Sequence, residues 1–373
     1  MACRVDEVAA LMEEIAPLEL AAEGDNVGLL LGDPAQRVER VLLTIDVTGE
    51  VVEEAGRRGA GMIVAHHPLI FRPLHNLVAG DTVSNLVMEM IRRGISLYAA
   101  HTNLDASEQG VNAALADALG LVKTRPLEPA RFPHFKLVTF LPVESVDRLR
   151  EAVFKAGAGV IGKYSRCSFY AEGVGTFLAG EGTEPSVGRR GEEERVREYR
   201  LEFLVEGRRI PDVLSALREA HPYEEPAVDL YPLDNPGRLG HLAGIGRMGE
   251  LEEPLTLEGL AKRCREALGC EEVRVFGDPG RTVRRVAVCG GRGGFLVPMA
   301  ARVAEVLVTG DVDHHQALDA KSKGLALVDA GHYHTERPVI ARLGNVLDKA
   351  AREKGLEVVF LASEVDTYPG GAE

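Results

Sequence analysis

The sequence predicts an α/β fold: two similar α/β units form one domain, and an α+β domain is inserted between them. Three observations carry this reading. Short aliphatic runs alternate with helix-length amphipathic segments at both ends of the chain. In the middle that rhythm breaks, and strands follow one another without helices between them. With 373 residues, the chain also exceeds one typical small core and suggests two or three domains.

Residues 5–16 carry Val5, Val8, Leu11, Met12 and Ile15 at helical spacing. Three strand–helix pairs are predicted next: 41–45 with 48–58, 62–65 with 83–93, and 95–100 with 110–119. Such alternation means βαβ units and a mostly parallel sheet. The rhythm returns as strand 286–289, helix 295–303, strand 306–309, helix 314–323, strand 325–329, helix 335–354 and strand 358–361. The middle reads strand 135–141, helix 146–156, strands 166–171, 174–179 and 198–205, helix 210–220 and strand 228–232, an order that suggests a ferredoxin-like α+β domain. The run 180–194, rich in Gly, Glu and Arg, reads as an exposed loop. The expected division is 1–129 and 236–373 for the host domain and 130–235 for the insertion.

A formal net charge of -14 repels nucleic acid phosphates and anionic membrane surfaces, so neither is an expected partner. The five cysteines are scattered without a C-x-x-C pair, which fits reduced thiols in the cytoplasm rather than a disulfide framework. The first twenty residues lack a signal-peptide apolar core, and no stretch reaches the roughly 20 apolar residues of a membrane helix.

The chemistry-bearing residues gather at strand ends. His66 and His67 follow strand 62–65, His101 and Asp105 follow strand 95–100, Asp311, His314 and His315 follow strand 306–309, and His332, His334 and Glu336 follow strand 325–329. Seven of the eleven histidines fall in these four places. Ligands of open α/β sheets bind outside the carboxyl ends of the strands. Taken singly, each residue has an ordinary explanation: a surface pair for His66 and His67, and helix caps for Asp105 and His332. Taken together they favour a metal site. His332 and Glu336 share a helix face, a carboxylate such as Glu336 could bridge two ions, and Asp105 could add an oxygen. This ligand set suits Zn, Fe, Mn or Ni without choosing among them.

Weaker candidates remain. The Gly-Gly-Arg-Gly-Gly run from Gly290 to Gly294, with Arg292, either cradles a phosphate on its N–H groups or makes a tight turn. His221 and Tyr223 either bind a ligand or form a turn around Pro222. Cys289 fits a buried apolar position better than a nucleophile.

Asp25-Asn26-Val27-Gly28-Leu29, His66-His67-Pro68-Leu69-Ile70-Phe71, His101-Thr102-Asn103-Leu104-Asp105, Thr309-Gly310 with His314-His315, and Gly331-His332-Tyr333 with Glu336 occur in an order that resembles the NIF3-like family, whose bacterial members are often called GTP cyclohydrolase 1 type 2 homologues. The resemblance covers roughly 1–125 and 240–373. It implies a two-metal site on His66, His67, Asp105, His332 and Glu336 and a toroidal homohexamer built as a trimer of dimers. His221-Pro222-Tyr223-Glu224-Glu225-Pro226 resembles the PII-like or CutA-like domain of longer members. Asp311 departs from the Glu common in the family, which leaves its role open.

The expected function is metal-assisted hydrolysis of a nucleotide or phosphorylated small molecule, with two divalent ions per chain and His101 or His314 shuttling a proton. The alternative is a non-catalytic, ring-shaped metal-dependent scaffold that binds partner proteins. A structural site would be closed by protein ligands, whereas a catalytic one keeps an open position.

Overall fold

Four-residue aliphatic runs make the central strands, and every residue of Met62–Ala65, Ser96–Ala99, Val306–Thr309 and Ala326–Asp329 is buried. Burial on both faces is what parallel strands sheathed by helices require. The computed structural model describes residues 3–130, 134–162, 164–182, 188–233 and 243–370. The chain divides into one unit of Met1–Ala130 with Leu242–Glu373 and another of Arg131–His241.

The first unit holds two main sheets. One has the order Val359–Ala362, Arg40–Thr44, Met62–Ala65, Ser96–Ala99, Gly28–Leu31. Its first four strands are parallel, and Gly28–Leu31 is an antiparallel edge. The other has the order Arg274–Phe276, Ala326–Asp329, Val306–Thr309, Thr282–Val288, Gly244–Thr256, Leu121–Pro129. Its three parallel strands are flanked by antiparallel ones. The two ends of the chain exchange strands: Val359–Ala362 completes the first sheet and Leu121–Pro129 the second.

Sequence patterning missed Gly28–Leu31, Leu121–Pro129, Gly244–Thr256, Arg274–Phe276 and the helix Leu257–Leu268. Gly244–Thr256 carries three glycines and three glutamates, a poor strand composition. It is nevertheless paired on both sides, with Thr282–Val288 and with Leu121–Pro129. Tertiary pairing overrides local preference there.

Helix ends follow their chemistry. The Thr48, Asp81 and Thr256 side chains accept from backbone N–H groups of Val51, Ser84 and Gly259, and Gly59, Gly94 and Gly269 close the same helices in the left-handed conformation. The expected helix 335–354 is two helices, His332–Glu336 and Pro338–Glu353. Pro338 takes the first turn of the second, where its missing N–H costs nothing. The break gives His332 and Glu336 a short turn of their own. Val339, Leu343 and Leu347 then pack with Val41, Val64 and Tyr98, joining the C-terminal helix to the first sheet. Each such side chain contributes about 1.5–3 kcal/mol by burial.

The second unit has the order β-α-β-β-α-β: His134–Pro142, Val146–Lys155, Ser168–Leu178, Glu193–Glu206, Ile210–Ala220 and Val228–Leu233. Its antiparallel sheet runs Val228–Leu233, His134–Pro142, Glu193–Glu206, Ser168–Leu178. The expected strands 166–171 and 174–179 are one strand, because Gly173 and Gly175 stay extended and pair with Glu198 and Val196 instead of turning. Of the run 180–194, residues 183–187 lie outside the described residues, and Glu193 already begins a strand. Among the described residues, no helix is long and apolar enough to cross a membrane.

Candidate metal centre

The strand ends of the first unit converge on a cluster of imidazoles and carboxylates. His66 and His67 leave Met62–Ala65 with their N–H groups bonded to the carbonyls of Thr44 and Ile45, so the chain holds ladder geometry through both. His101 precedes the short helix Thr102–Ala106, which carries Asp105. His332 and Glu336 begin and end the turn His332–Glu336. Ring centroids lie 4.9 Å apart for His66 and His67, 5.4 Å for His66 and His101, and 5.4 Å for His67 and His332.

Each of these imidazoles has its Nδ1–H committed. His66 donates to the Ala100 carbonyl at 2.8 Å and His67 to Asp46 Oδ1 at 2.8 Å. His101 donates to Asp25 Oδ1 at 2.9 Å and His332 to Asp311 Oδ2 at 2.8 Å. In the neutral ring these partners select the tautomer that leaves Nε2 as a lone-pair donor, the arrangement that metal-binding histidines show. Asp25 is fixed in turn by the Thr102 hydroxyl and N–H, and Asp46 by the Thr367 hydroxyl at 2.9 Å.

The Nε2 atoms face carboxylates. His66 Nε2 lies 3.7 Å from Asp105 Oδ1 and 3.6 Å from Glu336 Oε1. His332 Nε2 is 3.1 Å from Glu336 Oε1, and His67 Nε2 is 3.1 Å from Glu336 Oε2. Even so, His66 Nε2, Asp105 Oδ1 and Glu336 Oε2 are buried without a hydrogen bond. Such orphaned atoms are rare and costly unless something else bonds them. Three groups have ligand atoms close enough to hold a metal ion: His66, Asp105 and Glu336; His67, His332 and Glu336; and His66, His67 and His101. The imidazole and carboxylate donors fit a divalent transition metal.

The electrostatics of the metal-free cluster agree. Burial pushes the Asp105 carboxyl up to about 7 against the pull of His66. Burial would lower His67, but the bond to Asp46 and the Glu336 carboxylate beside the ring outweigh it and raise the imidazole to about 10. The bond to Glu336 raises His332 to about 9 despite burial. Burial would raise Glu336, yet His66, His332 and His67 hold it well below the usual carboxylate range. Burial lowers His101 in spite of its Asp25 partner.

The structure therefore brings together His66, His67, Asp105, His332, Glu336 and His101. His314 is exposed at the start of the helix His314–Ser322, its ring edge-on to His315, and belongs to none of the three groups. Asp311 orients His332. Asp25 and Asp46 were not given roles by sequence reasoning. Asp25 stood in a motif without a stated function, and Asp46 follows the strand Arg40–Thr44, so its place at a strand end was the available signal.

Three of the five N–H groups of the glycine run are already taken, which favours the tight turn. The N–H groups of Gly290, Gly291 and Gly293 already donate to Asn112, Thr335 and Thr309 at 2.9, 3.0 and 2.8 Å. Glycine is instead required by crowding: a Cβ on Gly291, at φ +61°, would lie 2.3 Å from Glu336 Oε1. Arg292 is exposed and faces Asp313 at 3.6 Å. His221 accepts from Tyr223 N–H at 3.1 Å and donates to the Phe140 carbonyl at 3.1 Å, so it is a turn element. Cys289 is buried, and burial drives its thiol pKa far up, against a nucleophilic role.

The sequence matches the Duf34/NIF3 (NGG1p interacting factor 3) family over residues 3–369. The chain belongs to this family. Among NIF3 relatives, it is 42% identical over 364 residues to a Halalkalibacterium halodurans protein named "GTP cyclohydrolase 1 type 2 homolog", covering 97% of each chain. A Bacillus subtilis protein of the same name is 38% identical over 366 residues, again covering 97% of each. The crystal structure of a Bacillus cereus protein related to NIF3 superposes with a TM-score of 0.83 at 40% identity, covering 100% of both chains.

Proposed function

We propose that this NIF3-family chain binds two divalent cations on His66, His67, Asp105, His332 and Glu336 and is a hydrolase for a nucleotide or phosphorylated small molecule. The observation that carries the reading is the set of three buried, unbonded atoms, His66 Nε2, Asp105 Oδ1 and Glu336 Oε2, converging on one place. The relatives' name, "GTP cyclohydrolase 1 type 2 homolog", supports the nucleotide class.

Glu336 is the carboxylate common to the groups His66–Asp105–Glu336 and His67–His332–Glu336, so it would hold both cations. His66 and Asp105 complete one side of it, His67 and His332 the other. When bound, the cations supply Lewis acidity toward a carbonyl or phosphoryl oxygen and lower the pKa of water toward neutrality. Asp46, Asp25, Asp311 and the Ala100 carbonyl hold the four imidazoles in one orientation, so little reorganisation is left for the reaction step. His101, held neutral by burial, accepts a proton from the attacking water and passes it to the leaving group.

The unit Arg131–His241 is read as a ferredoxin-like domain of the PII-like or CutA-like kind, supported by its element order. The chain is read as a cytoplasmic subunit of a toroidal homohexamer, supported by the family membership; light scattering at about six chain masses tests the assembly.

The functional test is a hydrolysis screen of nucleotides and phosphoesters on metal-loaded protein beside His101→Ala and Glu336→Gln. Turnover lost in both variants, with metal lost only in Glu336→Gln, supports the hydrolase. Full metal loading without turnover on any substrate moves the reading to the scaffold.

A further inference from the structure

The last residues of the chain reach back to the metal centre. Ser363 N–H bonds the Leu43 carbonyl at 2.9 Å, which continues the pairing of Val359–Ala362 with Arg40–Thr44. Glu54 then holds the tail, accepting from Ser363 Oγ at 2.5 Å and Glu364 N–H at 2.9 Å. Four residues on, the Thr367 hydroxyl donates to Asp46 Oδ2 at 2.9 Å. The other oxygen, Asp46 Oδ1, accepts from His67 Nδ1 at 2.8 Å. A cavity of about 260 Å³ lies between the tail and the strand end, lined in part by Ile45, Tyr333, Ile340 and Thr367.

We infer that Thr367 is a positioning residue for the metal centre: its hydroxyl fixes the Asp46 carboxylate, which fixes the His67 ring. The inference rests on the metal-site reading above. A carboxylate hydrogen-bonded through one oxygen alone is held loosely about its last torsion, which is broad for Asp. The second bond removes that freedom and leaves Oδ1 aimed at Nδ1–H. Among the ligands, only the ring of His67 is reached this way, because His66 leans on a backbone carbonyl and His332 on Asp311. The effect would therefore fall on an ion held by His67, His332 and Glu336, and not on one held by His66, Asp105 and Glu336.

The test is a Co²⁺ titration of the metal-stripped full-length chain, read by absorption and by affinity. It compares wild type with Thr367→Val, Thr367→Ser and Ser363→Ala. Valine keeps the shape and removes the hydroxyl, and the adjoining cavity spares it a clash. Thr367→Val is expected to weaken one Co²⁺ site by about tenfold, the lower end of what an outer partner of a metal ligand contributes. Thr367→Ser restores the affinity. Ser363→Ala loosens the tail at Glu54, lowering the melting temperature while leaving Co²⁺ affinity at the wild-type value. An unchanged titration in Thr367→Val overturns the inference, as does equal weakening in Ser363→Ala, which would assign the effect to tail order. If wild type takes up no Co²⁺, the metal-site reading itself falls, and this inference with it.

Discussion

Glu336 Oε2 lies 3.1 Å from His67 Nε2, while Oε1 of the same carboxylate lies 3.1 Å from His332 Nε2 and 3.6 Å from His66 Nε2. One buried carboxylate thus touches three imidazoles delivered by two sheets. Each imidazole is turned toward it by a bond on its far side. This geometry underlies most of the predictions that follow.

Metal binding should release protons. In the metal-free site, the Asp46 and Glu336 carboxylates overcome burial to raise His67 to about 10, and Glu336 raises His332 to about 9. Both imidazoles therefore carry protons at neutral pH, and a ligand must lose its proton to bind. Apparent affinity should rise with pH up to about 9–10, where the free imidazoles would have lost these protons. Calorimetric titration in buffers of differing ionisation enthalpy measures the release. Affinity flat across that range would contradict the assignment.

Gly291 should resist substitution more than a surface glycine. A methyl group there would sit 2.3 Å from Glu336 Oε1 and 3.1 Å from His332 Nε2 on a backbone at φ +61°. Gly291→Ala is expected to cost about 1–3 kcal/mol of stability and to displace Glu336, lowering metal content. Gly280→Ala, whose Cβ would meet nothing closer than Asp278 at 3.5 Å, is the control. Thermal melts with metal analysis separate the two.

Glu54 should contribute acid-sensitive stability. Burial would raise its pKa, but Ser363, the Glu364 N–H and Arg58 hold it below the ordinary value. A depressed folded-state pKa gives stability that is present above the unfolded value of about 4.3 and is lost as pH falls through the folded one. Glu54→Gln should lower stability by about 1–3 kcal/mol at neutral pH. The gap from wild type should narrow in acid. Melting temperatures of both proteins across that range check the sign.

The Tyr223 hydroxyl donates to the mostly buried Glu198 Oε1 at 2.6 Å. Tyr223→Phe should cost about 1–3 kcal/mol, the range for a bond to a charged group. Metal content should not change, since every residue of the metal centre lies in the other unit. A loss of metal in Tyr223→Phe would refute its purely structural role.

The candidate ligands were legible because chemistry and period coincide: His66, His67, Asp105, His332 and Glu336 each follow a short aliphatic strand, where a parallel sheet gathers its ends. Their orienting partners were harder to see. Asp46 and Asp25 are single carboxylates in turns, where helix capping and solvation are the commoner roles, and only the fold shows them behind His67 and His101. Thr367 carried no signal at all, because its partner lies at the opposite end of the chain. Long strands such as Gly244–Thr256 were missed for a related reason: their partners, not their own residues, make them strands. The glycine run left two readings open, cradle or turn. Its composition suits either, and only the fold shows that Asn112, Thr335 and Thr309 take three of its five N–H groups.

The most direct test is the metal content of the purified full-length chain, wild type beside Glu336→Gln, by elemental analysis after dialysis against buffer without chelator. The shared position of Glu336 in two ligand groups predicts two ions per wild-type chain and the loss of both in the variant. A wild-type chain that retains no divalent metal, or a Glu336→Gln variant that retains two ions, would contradict the account.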